Sequence, residues 1–118
     1  MKALETLASK GASLSAFKNF RTYRLAVQFH HACQGLSLPG YLRDQLVRAT
    51  SSVVLNLGEG SAKPTAKDQA RSYYVALGSL REAQAALDLA PRCPAGLPEL
   101  ADHLGASLYK LCRHASGR

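Results

Sequence analysis

Three short segments in which proline and glycine concentrate cut this chain into four stretches, and their spacing constrains the fold more than any other feature. They are residues 35–40 (GLSLPG), 61–64 (SAKP) and 91–98 (PRCPAGLP). Proline removes a backbone donor and crowds the preceding turn, so such clusters stop helices and turn the chain. Between them apolar residues return at helical spacing. Leu42, Leu46, Val53 and Leu57, with Ala49 in the gap, make one stripe. Ala70, Tyr73, Leu77, Leu80, Gln84 and Leu87 make a second, and Leu100, Leu104, Leu108 and Leu111 a third, close to a heptad seam. The first stretch carries two stripes, Phe20, Tyr23 and Val27 beside Leu25, Phe29, Ala32 and Cys33, which predicts burial on more than one side.

The spacing predicts helices over about 17–34, 41–59, 65–90 and 98–116. Gly60 stands where a left-handed cap would end the second, and Asp68 near the positive end of the third. Four helices with short connections give an all-α, antiparallel, up-down-up-down four-helix bundle. It forms one domain over 17–116, preceded by a flexible arm over 1–16. With 118 residues, 47% of them apolar and no tryptophan, the composition suits a helical core and excludes disorder as the main description.

The formal net charge is +7, from 15 Lys and Arg against 8 Asp and Glu. The middle of the chain is close to balanced. The excess gathers at the two ends: Lys2, Lys10, Lys18, Arg21 and Arg24 face only Glu5 over 1–34, and Arg92, Lys110, Arg113 and Arg118 face Glu99 and Asp102 over 91–118. In an up-down bundle the first and last helices are neighbours, so the positive charge collects on one side and would draw RNA or DNA. Lys18, Arg21, Arg24, Lys110 and Arg113 are the expected nucleic-acid contacts. A charge that only keeps the protein soluble is the plainer alternative.

Chemistry-bearing motifs are sparse. His30, His31, His103 and His114 are scattered, and Cys112 and His114 stand two apart on a helix, which turns them away from each other. Ser51 and Ser52 have no evident base, and no glycine-rich phosphate loop follows a strand. Neither enzyme activity nor a metal or other cofactor is expected. The enzymatic rival is a helical ribonuclease of the HEPN type, whose Arg-to-His spacing is loosely met by Arg24 with His30 or His31. The first ten residues lack a signal-peptide core and no run is long enough for a membrane span. Cys33, Cys93 and Cys112 make an odd, unpaired set, read as small buried hydrophobes in a reducing cytoplasm.

Residues 46–60 (LVRATSSVVLNLGEG), Asp68, and 73–82 (YYVALGSLRE) resemble the two signatures of the bacterial 23S rRNA intervening-sequence protein family, which includes the accessory variability determinants of diversity-generating retroelements. Leu38-Pro39, Phe20, Tyr23-Arg24 and Ala26 fit as well, so that the similarity spans roughly 17–90. The resemblance implies an antiparallel bundle assembled into a ring, often a homopentamer, with an electropositive surface; accessory members of the family work by binding nucleic acid and a reverse transcriptase. The chain departs from the family where arginine often follows the Glu-Gly pair. Here Ala62-Lys63-Pro64 stands instead, which keeps a charge but not the forked arginine geometry. Asn56, Glu59 and Gly60, with Gly78 and Ser79, form the most pointed polar group. The structural reading has Asn56 bonding across to another helix to fix register, and Glu59 meeting Arg71, Tyr73 or Ser79. Gly78 and Ser79 would let the third helix approach a neighbour closely. Self-assembly without nucleic acid is the competing non-enzymatic function.

Overall fold

The computed structural model describes the backbone of residues 14–117 and side chains from Arg21 onward. All of its regular structure is helical: α1 (Leu14–Gln34), α2 (Gly40–Ser61), α3 (Ala66–Leu89) and α4 (Leu97–Ala115). Helix α1 begins three residues before the expected start, and residues 1–13 of the expected arm lie outside the described part. Each helix packs against the next, and α4 returns against α1.

The boundaries follow from local chemistry. Pro39 sits extended before α2 (φ −53°, ψ 145°), and its carbonyl accepts from the backbone N–H groups of Leu42 and Arg43 at 3.0 and 2.9 Å. Thr65 caps α3, its Oγ1 accepting from the Asp68 N–H at 3.2 Å, with Asp68 in the first turn where the helix dipole favours an anion. Ala90 leaves α3 extended (ψ 137°), as a residue before proline must. Gly96 precedes α4 at φ +90°, a left-handed conformation natural only to glycine, and Pro98 lies in the first turn.

Gly60 is not the left-handed cap that its position suggests. The helix continues to Ser61 and ends through tightened backbone bonds, Ala62 N–H to Glu59 O at 3.2 Å and Lys63 N–H to Gly60 O at 3.1 Å, just before Pro64. Gly60 is buried against α3, where a Cβ would stand 2.7 Å from Tyr73 Cε1 and 2.9 Å from Ser72 Cβ. The residue is small because two helices nearly touch there. Gly78 is the reverse case: it is exposed, with nothing near its missing Cβ, so within one chain it mediates no close approach.

Tyr73, Phe29, Leu46, Leu57, Leu80, Leu104, Leu108 and Val53 are the largest of the fully buried side chains, and alanines such as Ala26, Ala49, Ala76, Ala83 and Ala101 fill the space between them. Burying each large apolar side chain is worth about 1.5–3 kcal/mol. On α1 the buried stripe is Thr22, Ala26, Phe29 and Cys33. Tyr23 is 37% exposed and Ala32 is exposed, so two-sided burial of this helix is not seen within the chain. Phe20 of the first stripe lies outside the described side chains, and Thr22 is buried beside its polar partner on α4.

Among the described residues, a side-chain hydrogen bond joins each pair of neighbouring helices. Thr22 and Ser107 hydroxyls meet at 2.6 Å between α1 and α4, and His30 Nδ1 and Thr50 Oγ1 at 2.7 Å between α1 and α2. Ser52 and Ser79 hydroxyls meet at 2.7 Å between α2 and α3, and Gln84 Nε2 donates to Asp102 Oδ1 at 3.3 Å between α3 and α4. Such bonds contribute only about 0.5–1.5 kcal/mol each, yet a slipped register would leave buried hydroxyls unpaired, which costs more. The register link between α2 and α3 is thus Ser52–Ser79. Asn56 does not cross: its Nδ2 donates to Ser52 O at 2.8 Å and Ser52 Oγ at 3.1 Å on its own helix. Glu59 pairs with Lys63 at 3.3 Å rather than with α3.

The two glycines therefore predict opposite stability changes. Gly60→Ala forces a methyl into Tyr73 and destabilises the protein by about 1–3 kcal/mol. Gly78→Ala fills open space in a helix and stabilises it by about 0.5–1 kcal/mol. Chemical denaturation of the two variants checks both signs.

Candidate nucleic-acid interface

Helix α4 displays His103, Ser107, Lys110 and His114 at intervals of four, three and four, which sets them in one row. The row faces α1, where Arg21, Thr22 and Leu25 stand. Together with Ala106 and Leu111 these residues line a groove of about 380 Å³. The Thr22–Ser107 hydroxyl pair joins its two walls. Among the described lining residues none is acidic, and four of the nine are basic or imidazole side chains. Arg21, Lys110, His103 and His114 are all exposed. A site so built offers several N–H donors and positive charge with nothing to repel an anion.

Of the five residues expected to contact nucleic acid, Arg21 and Lys110 thus meet in one groove. Arg24 does not join them: it borders a shallower hollow with Tyr23, Val27 and Gln28 on another side of α1. Arg113 is exposed but off the groove, with its guanidinium 5.8 Å from the Tyr109 ring centre and Nη1 donating to Tyr109 Oη at 3.4 Å. The Lys18 side chain lies outside the described residues. His103 and His114 are the members that sequence reasoning missed. Their eleven-residue separation signals a shared helical face, but only once α4 is known to be unbroken and turned toward α1.

His30 and His31, the histidines of the ribonuclease alternative with Arg24, stand in different surroundings. His30 is held by Thr50 on α2, while His31 is exposed and its Nδ1 lies 3.2 Å from Gln34 Oε1. Two of the cysteines, Cys33 and Cys112, are fully buried, and burial pushes their thiols up to about 12 and about 11. Cys93 is exposed in the 91–98 connection, against the expectation that all three are buried: the proline-rich segment gives it no core to enter. No group of three or more His, Cys, Asp or Glu among the described residues is placed to hold a metal ion. No described helix is long and apolar enough to cross a membrane.

A second surface has another character. The outward faces of α2 and α3 expose Leu55 (68%), Val75 (49%) and Tyr74 (43%) beside Gly78. Around them lie Arg48, Glu59, Arg71 and Glu82, all exposed, so that this face carries balanced charge where the α1–α4 groove carries one sign.

Fold and groove together define an all-helical, four-helix protein with a basic cleft between its first and last helices. The chain belongs to the 23S rRNA-intervening sequence protein family, whose model matches residues 18–116. That match extends the sequence resemblance through α4, the helix that builds one wall of the groove. Comparison with curated proteins gives no match, and comparison with solved structures gives none.

The His30–Thr50 link carries a pH signature. Burial, and then the neighbouring His31, lowers the His30 pKa from its ordinary value. Between the lowered and ordinary values the unfolded chain binds more protons than the folded one, so this histidine's contribution to stability rises with pH in that window. It is complete above the ordinary histidine range and is lost as the pH falls through it. Denaturation midpoints should therefore drop between about pH 7.5 and about pH 5.5, and His30→Gln should show a shallower drop. Equal slopes for the two proteins would remove His30 as the cause.

Proposed function

We propose that this protein is a non-enzymatic, self-associating helical scaffold that binds RNA or DNA through the α1–α4 groove. The observation that carries the reading is that Arg21, Lys110, His103 and His114 line one concave surface with no acidic residue among its described lining. Contacts of this kind go to phosphates, hence bind with strong salt dependence and little sequence preference. Arg24, Arg113 and Lys18 extend the contact for strands longer than the groove. The resemblance of residues 46–60 and 73–82 to a family that includes accessory variability determinants is what supports a nucleic-acid enzyme such as a reverse transcriptase as a further partner. A reducing cytoplasm as the working compartment agrees with three cysteines that form no disulfide.

The bundle is antiparallel in this reading, supported by neighbours that pair in opposite order: Ser52 with Ser79, then Gly60 with Ser72 and Tyr73. Assembly into a ring of five is the form that the resemblance supports. The occupant of the α2–α3 outer face is a second copy of the chain, because its centre is apolar and its rim carries both signs of charge, which a polyanion would not match.

Two measurements test the reading. Arg21→Glu with Lys110→Glu should weaken binding of a labelled structured RNA at least about tenfold at low salt, with the helical content unchanged. Arg43→Glu with Arg92→Glu makes the same change in net charge elsewhere and should cost much less. Equal losses would mean that only net charge matters, and no binding by the unmodified protein would end the nucleic-acid function. Sedimentation at micromolar concentration should give an oligomer that Leu55→Lys shifts toward the monomer. A monomeric unmodified protein would overturn the assembly.

A further inference from the structure

We infer that the α1–α4 groove is a pocket for a phosphomonoester, the phosphorylated end of a nucleic-acid strand, rather than only a stretch of track for its backbone. The inference rests on the nucleic-acid reading above and makes it specific. Enclosure is the first ground. At about 380 Å³ the groove lies at the small end of ligand sites, roughly 300–1,000 Å³, and it matches in volume the two hollows bordering α1, at about 360 and 370 Å³, but is more enclosed than either. It has room for one nucleotide-sized group, whereas an internal phosphodiester must leave a continuing chain on both sides.

Charge is the second ground. A monoester carries about −1.5 to −2 near neutral pH, against a single negative charge on each phosphodiester. Arg21 and Lys110 supply two permanent positive charges, and His103 and His114 add two imidazoles. A guanidinium matches phosphate oxygens with a fixed fork, and an ammonium acts as a mobile point charge beside it. The third ground is the arrangement of polarity. Ser107 brings a half-buried hydroxyl to the lining, bonded to the fully buried Thr22, and Leu25 and Ala106 add apolar surface suited to the sugar or base behind the phosphate. A surface that only tracked a backbone would need charge along its length and no such enclosed apolar lining.

Phosphomonoesters come as strand ends or as free mononucleotides, and the test separates them. Three versions of one labelled 12-nucleotide RNA are compared by anisotropy with the full chain: hydroxyl at both ends, phosphate at the 5′ end, and phosphate at the 3′ end. At least one phosphorylated version should bind roughly tenfold tighter than the hydroxyl form. Arg21→Gln and Lys110→Gln should each erase most of that difference, and Arg43→Gln should preserve it. Adenosine monophosphate at millimolar concentration should compete only weakly, yet move the imidazole NMR signals of His103 and His114 and leave those of His30 and His31 in place. Strong competition at micromolar concentration would overturn the strand end in favour of a free nucleotide. Equal binding of all three RNAs would overturn the pocket and leave general nucleic-acid binding standing. Absence of binding to any of them would overturn both.

Discussion

The contact on which the rest of the molecule depends is the meeting of Gly60 with Tyr73. With only a hydrogen on its Cα, Gly60 lets the end of α2 lie against the start of α3 and seats the Tyr73 ring in the core, where it is 2% exposed. The short 62–65 connection is possible because the two helices are already close where it begins. Further along, Ser52 and Ser79 join the same pair by a 2.7 Å hydrogen bond, so small residues set both its spacing and its register. With this pair closely packed, α1 and α4 complete the core through Phe29, Leu104 and Leu108. They remain apart enough on their outer side to leave a groove.

That division of labour explains where the basic and imidazole side chains share a groove. The α2–α3 side is joined by small residues and presents balanced charge outside. The α1–α4 side is joined by the Thr22–Ser107 pair and presents a one-signed cleft. A long helix offers several faces, and α4 uses three: Leu104, Leu108 and Leu111 inward, His103, Ser107, Lys110 and His114 toward the groove, and Arg113 outward. The protein needs no strained backbone for this. Among the described residues only Gly96 and Gly117 take positive φ, and neither lines the groove.

Much of this was legible in the residues. Leu42, Leu46, Val53 and Leu57 name the buried face of α2 by spacing alone, and proline and glycine place the three connections to within a few residues. The basic ends of the chain put Arg21 on the first helix and Lys110 on the last, and both line the α1–α4 groove. What could not be read depends on three-dimensional partners. Thr22 and Thr50 look like surface residues until Ser107 and His30 are known to face them. Asn56 looks like a bridge between helices, but it stands one turn from Ser52 and satisfies its donors there first. Gly60 has the sequence position of a cap and the spatial role of a contact.

The central claim, that polyanions are held in the α1–α4 groove by Arg21 and Lys110, is tested most directly by the salt dependence of single-stranded RNA affinity. Each phosphate neutralised contributes roughly 0.7 to the slope of log K against log salt for a single strand. Replacing both side chains in Arg21→Gln with Lys110→Gln should lower the magnitude of that slope by about 1.4 relative to the unmodified protein. A slope unchanged by the double replacement would show that the phosphates are bound elsewhere and contradict the account.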